Sequence, residues 1–284
     1  MSPLPIVSAL AHARTLLFVP GDRPERFRKA LDSGADSVVL DLEDSVPAAL
    51  KSAARTAIAA IWADVTGATV PLVVRINSLD TDAGADDLAW LARLSPPAGV
   101  MLAKAESASQ IRVVSAALPG LAILPLIETA AGMLALPEIA REPGVLRLVV
   151  GHIDFMADTG IRCSDDEREL DMLRFSVSLH TRANRLAPAI DGVTVAIDDV
   201  RRLESDTRRA LGFGFGGKLL IHPRQVANVH VALAPSEADL AWARRVLAAH
   251  EVSGGAAVQL DGRMVDRPVV LQARWTLARA HRLD

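Results

Sequence analysis

The sequence predicts an α/β protein: a closed (β/α)8 TIM barrel with a C-terminal helical and hairpin extension. Three observations carry this. Eight short apolar runs recur between residues 15 and 221. Several are rich in Val, Ile and Leu without alternation, the pattern of parallel strands buried on both faces. Segments with helical spacing separate them, and strand–helix alternation to a count of eight closes a barrel. An open doubly wound sheet is the alternative that the same alternation allows.

In chain order, strands are expected at 15–19, 37–40, 70–76, 100–103, 122–127, 146–150, 190–195 and 219–221. Helical spacing marks 24–31, 48–63, 86–94, 107–118, 130–140, 166–186 and 200–211. The glycine-rich run 212–218 matches a bare G-x-G-x-x-G. It precedes a strand instead of opening a helix, so it fails as a dinucleotide loop and reads as a tight turn. The rhythm stops near Pro235, which assigns residues 1–234 to the barrel and 235–284 to the extension. There Ser236 is placed to cap a helix with Glu237 and Asp239 in its first turn. A hairpin is expected at Asp261-Gly262, and a last helix after Pro268.

Composition narrows the function. Half of the 284 residues are hydrophobic and the net charge is -3, which gives a sizeable core and no basic footprint for nucleic acid or a membrane surface. The aromatic content is 4%, and Trp62, Trp90 and Trp242 on helical segments read as packing residues, not a base-stacking platform. The single cysteine, Cys163, makes neither an internal disulfide nor a thiolate metal cage. No stretch approaches the roughly 20 apolar residues of a membrane span. Residues 1–12 have no basic residue ahead of their short apolar run, so a secretory leader is not expected. These features predict a soluble, cytoplasmic protein.

The strand ends are the informative positions, because a barrel of this type builds its site at the carboxyl rim. They carry Pro20-Gly21-Asp22-Arg23, Asp41-Leu42-Glu43-Asp44, Arg75-Ile76-Asn77, Lys104, Glu128, His152-Ile153-Asp154, Asp191 and His222-Pro223-Arg224. Glu128 and Asp154 follow adjacent strands, and two carboxylates without a Cys or His cluster suit a hard divalent cation. Spacing alone equally allows a pair of capping or salt-bridged acids. Arg75 ends an apolar strand, where a cation needs an anion: a substrate carboxylate, Asp41 or Glu43.

With those residues in view, the chain resembles the citrate lyase beta-subunit-like branch of the HpcH/HpaI aldolase superfamily. The stretches that carry the resemblance are Arg14-Thr15-Leu16-Leu17-Phe18-Val19-Pro20-Gly21, Asp41-Leu42-Glu43-Asp44, Arg75-Ile76-Asn77 and Pro125-Leu126-Ile127-Glu128-Thr129. Gly217-Lys218-Leu219-Leu220-Ile221-His222-Pro223 and the tail Asp261-Gly262-Arg263-Met264-Val265-Asp266-Arg267-Pro268 complete them in the family order. One departure stands out. Gly151-His152-Ile153-Asp154 occupies the place of the Gly-Ala-Glu-Asp common in the family, so an acid beside the aspartate is missing.

The resemblance implies a Mg2+-dependent enzyme that makes or breaks a carbon–carbon bond between an acyl-CoA and a 2-oxo acid. Glu128 and Asp154 would be the metal ligands, Arg75 would bind the oxo acid, and Glu43 would support metal waters and Arg75. Asp266 matches an acid contributed by the tail of a neighbouring subunit, which implies a trimer or a dimer of trimers. Arg14, Pro20, Gly21, Arg23 and Lys218 are where the resemblance puts coenzyme A phosphates. The expected substrate is a citramalyl-CoA-like thioester, with citryl-CoA and malyl-CoA as rivals. A CoA-independent 2-oxo-acid aldolase and a non-catalytic CoA-binding partner of a larger complex are the alternatives.

Overall fold

Eight strands follow one another around one closed parallel barrel: β1 (Thr15–Pro20), β2 (Ser37–Asp41), β3 (Leu72–Ile76), β4 (Gly99–Leu102), β5 (Ala122–Ile127), β6 (Val149–Val150), β7 (Ile190–Asp191) and β8 (Gly217–Leu220). Leu16 of β1 faces Ser37 of β2 on one side and Leu219 of β8 on the other, so the sheet closes on itself. Closure excludes the open doubly wound sheet. The computed structural model describes residues 5–66 and 69–280, in two compact units, Met1–Ala232 and Leu233–Asp284.

Inside the barrel, Leu16, Val39, Val73, Met101, Leu124, Val149, Ile190 and Leu219 interdigitate in one buried cluster. Leu10 and Ala13, from and just beyond the helix Pro5–His12, join it. Burying one such side chain stabilises by about 2 kcal/mol, so the interior is a packed core, not a pore.

Three strands are shorter than predicted, β3 by its first two residues and β6 and β7 by more. Residues 146–148 still run beside β5 and the chain before β7, through Leu146 N–H to Ile123 O and Ala187 N–H to Leu146 O. The buried Arg147 guanidinium there donates to the carbonyls of Leu10, Ala13 and Pro188. β7 stops at Asp191 because the Gly192 carbonyl accepts from Lys218 Nζ.

The helices also shift. Thr81 caps a helix at Asp82–Leu91, four residues earlier than predicted, by accepting from Gly84 N–H. The expected helix 48–63 is a short turn at Ala48–Leu50 followed by Lys51–Ala60 and Trp62–Thr66. The segment 166–186 holds a helix only over Asp171–Ala183, preceded by a tight turn at Arg168–Leu170. Three helices were not predicted: Pro5–His12, His152–Thr159 and Gln225–Leu233. The second of these ends at Gly160 in the left-handed conformation, a C-terminal signal visible in the sequence.

In the second unit, Ser236 and Asp239 form a capping box on the helix Glu237–Val252. The strands β9 (Val258–Leu260) and β10 (Arg263–Val265) make the expected hairpin. Asp261 and Gly262 both take positive φ, as a two-residue turn of this hand requires. Ala243, Val246, Val265, Val270 and Ala273 form this unit's own small core with the helix Arg267–Ala280. Among the described residues no helix is long and apolar enough to cross a membrane.

The amino end of the barrel is tied by ion pairs and hydrogen bonds. Asp36 accepts from the backbone N–H groups of Arg14 (2.7 Å) and Thr15 (3.2 Å) and pairs with the Arg14 guanidinium. His230 Nε2 lies 3.2 Å from the same carboxylate and 3.0 Å from Thr15 Oγ1. Burial opposes ionisation of Asp36, but His230 and Arg14 prevail and hold its carboxyl at about 2. Because the folded pKa lies below the ordinary value, this stabilisation is complete above about pH 4 and drains away as the pH falls towards 2. Asp36→Asn should therefore cost about 2 kcal/mol near neutrality, with the gap closing in acid. Urea unfolding of both proteins from pH 6 to pH 2 measures it; a gap independent of pH would contradict this account.

Candidate active site

The carboxyl ends of β2 and β3 place Asp41 directly opposite Arg75 in the sheet register. The guanidinium meets the carboxylate through two parallel bonds of 2.6 Å, Nε to Oδ1 and the second nitrogen to Oδ2. Such a fork fixes direction as well as charge. Asp41 also accepts from the N–H groups of Glu43 (2.9 Å) and Ser45 (3.3 Å). Burial opposes its ionisation, yet the Arg75 charge and hydrogen bonds keep its carboxyl below the usual range. Arg75 reaches Glu43 as well, at 3.1 Å, and its guanidinium lies 4.6 Å over the Phe18 ring. Of the partners the sequence left open for Arg75, the structure supplies both Asp41 and Glu43.

Glu128 follows β5 and is 1% exposed. Its Oε1 accepts from the Lys104 N–H at 2.7 Å, while its buried Oε2 has no hydrogen-bond partner among the described residues. Burial, opposed by the charge of Arg75 and reinforced by those of Glu43 and Asp154, pushes its carboxyl up to about 8. Gly151 makes room for it: a Cβ there would stand 2.5 Å from Glu128 Oε2. Asp154 sits in the first turn of the helix His152–Thr159 and is half-buried.

A buried carboxylate with one unpaired oxygen beside a second carboxylate fits a hard divalent cation. Among the described residues no three His, Cys, Asp or Glu gather into a closed metal cage. A two-carboxylate donor set leaves coordination positions for water and substrate oxygens, as Mg2+ sites do.

The other predicted residues fall into different places. Pro20 ends β1, and the Gly21 N–H donates to Asp41 O at 2.8 Å, so this turn supports β2. Arg23 is exposed on the same rim. Arg14 is not there: it precedes β1, at the opposite end of a six-residue strand, where Asp36 engages it. A phosphate contact shared with Gly21 is therefore excluded, because the strand holds the two residues roughly 20 Å apart. Lys218 is also corrected. It lies inside β8, 1% exposed, donating to Gly192 O and standing 3.9 Å from Asp191. Burial pushes its ammonium down from the usual lysine range, the opposite of an open phosphate-binding cation. Asp266 belongs to the second unit, where its Oδ1 faces Val269 N–H at 3.4 Å and its carbonyl accepts from Val270 N–H.

His152 is buried against Gly192, where a Cβ would lie 2.1 Å from Nδ1, and burial pushes its imidazole towards the neutral form. Ile153, in the place of the acid common in the family, is exposed. Two features were missed from sequence. Lys51 donates to the carbonyls of Leu42 and Glu43 and to Asn77 Oδ1, bracing the loop after β2. Glu167, with φ of 50°, gathers Arg174, Arg202 and Arg209 at 2.5–2.7 Å. Lys51 gave no sequence signal; the arginines recur at helical spacing but nothing links them to residue 167.

The family model described as HpcH/HpaI aldolase/citrate lyase matches residues 14–223, and the chain belongs to that family. A citrate lyase subunit beta-like protein of Mycobacterium tuberculosis is 40% identical over 271 residues, covering 93% of this chain and 94% of that protein. A (3S)-malyl-CoA thioesterase of Cereibacter sphaeroides is 32% identical over 270 residues, 94% of each. Among solved structures, the CitE protein of M. tuberculosis in complex with magnesium, acetoacetate and coenzyme A superposes with a TM-score of 0.83. It is 37% identical, covering 95% of this chain and 99% of that one.

Proposed function

We propose that the chain is a Mg2+-dependent carbon–carbon lyase. It cleaves a 3-hydroxyacyl-CoA of the citramalyl-CoA type to acetyl-CoA and a 2-oxo acid. The observation that carries this reading is the Glu128 carboxylate, sealed from water with one oxygen unpaired, on the rim that also holds Asp154, Arg75 and Glu43. The magnesium and coenzyme A of the M. tuberculosis neighbour support both cofactor and substrate class.

In the cleavage direction the 3-hydroxyl group loses its proton and the bond between the carbinol carbon and C2 breaks. The electron pair passes into the thioester as an enolate, and a proton delivered to C2 completes acetyl-CoA. Glu128 and Asp154 would hold Mg2+, which when bound supplies Lewis-acid stabilisation of oxygen charge. Arg75 is locked by Asp41, so the edge it turns to the oxo-acid half needs no reorganisation during reaction. Glu43 keeps Arg75 from swinging away. Arg23 and the Pro20-Gly21 turn are the remaining candidates for coenzyme A phosphates. Asp266 of the partner subunit, in a trimer or a dimer of trimers, would deliver the proton to C2.

Thioester hydrolysis is the second reading, favoured by the 32% identity to a (3S)-malyl-CoA thioesterase along nearly the whole chain. Citramalyl-, malyl- and citryl-CoA offered with Mg2+ or with EDTA separate the readings. The lyase releases a 2-oxo acid and acetyl-CoA only with the metal. Free CoA together with an intact hydroxy acid means hydrolysis; no turnover of any thioester means a CoA-independent aldolase or a non-catalytic partner. Asp266→Ala should lower turnover about 100-fold while leaving Mg2+ affinity unchanged by calorimetry. Equal loss of both would remove Asp266 from proton transfer.

A further inference from the structure

Lys104 is not among the residues so far given a role, yet it touches both halves of the site. It lies just beyond β4, between Arg75 on β3 and Glu128 after β5 in the barrel order. Its φ is 47°, in the left-handed region, where a residue with a Cβ pays about 1 kcal/mol or more. That turn aims its N–H at Glu128 Oε1, at 2.7 Å, which leaves Oε2 as the free oxygen. It also sends the ammonium to the Glu43 carboxylate, with Asp44 at 3.7 Å.

The neighbouring cations are committed elsewhere. The fork of Arg75 is spent on Asp41, and Lys51 is spent on two carbonyls and Asn77. Glu43 is buried, and its Oε2 already serves Arg75 and the Asp44 N–H. Without the ammonium, Glu43 Oε1 is a buried carboxylate oxygen with no cation, and Glu43 loses the contact that holds it against Arg75.

We infer that Lys104 is a positioning residue with two separable outputs: its main-chain N–H orients Glu128, and its ammonium, acting through Glu43, fixes Arg75. The inference rests on the lyase reading. The strained backbone is what lets one residue do both.

Substitution separates the two outputs, because the N–H survives any change except proline. Lys104→Met and Lys104→Gly should each lower kcat about 10- to 100-fold, the usual effect of removing an outer support. Mn2+ affinity, read by electron paramagnetic resonance, should stay within about threefold, since Glu128 keeps its N–H partner. The Gly variant, freed of strain, should melt above the Met variant. Lys104→Cys in a Cys163→Ser background, aminoethylated with 2-bromoethylamine, should regain most of the lost turnover, which a merely structural position would not do. Unchanged kcat in an active protein overturns the proposal alone. Loss of Mn2+ binding in parallel with kcat overturns the separation of outputs. If the unsubstituted chain cleaves none of the thioesters, the lyase reading falls and takes this proposal with it.

Discussion

A carboxylate sealed from water keeps its charge only where a cation answers it, and Glu128 is sealed with one oxygen unanswered by the protein. Much of the rim is arranged around that condition. Gly151 gives up its side chain so that Glu128 fits, Lys104 takes a strained backbone to bind the other oxygen, and Asp154 is carried nearby on a helix of its own. Arg75 is already paired with Asp41 and Glu43, so its charge is shared before it reaches Glu128.

The two ends of the barrel use the same residue types for different work. At the amino end, Arg14, Asp36 and His230 meet in mutual pairs, and Arg147 is satisfied by carbonyls. These contacts hold β1 and the segment before it in place. At the carboxyl end the pairing is incomplete by design of the fold: parallel strands deliver all their final residues to one rim, where repulsion must be met from outside.

That asymmetry explains what was legible in the sequence. Strand alternation gave the barrel, and the ends of the apolar runs with the few residues after them gave Arg75, Lys104, Glu128 and Asp154, because rim position follows from strand end. Arg14 was misplaced because it precedes its strand, which sends it to the other rim. Lys218 was misplaced by a boundary two residues too late, which turned a buried strand lysine into a loop lysine. The helix His152–Thr159 was hidden by its brevity, although Gly160 marks its end. Lys51 reaches residues 8, 9 and 26 positions away and Glu167 residues 7, 35 and 42 positions away, and no local pattern announces those contacts.

The central claim is that Glu128 and Asp154 together hold one divalent cation. Titration of Mn2+ into the unsubstituted chain, Glu128→Gln and Asp154→Asn, followed by electron paramagnetic resonance, addresses it most directly. The account predicts one bound ion per chain in the first protein and none at the same concentrations in either variant, with all three equally folded. Undiminished binding in both variants would contradict it and move the cation, and the chemistry with it, to another part of the rim.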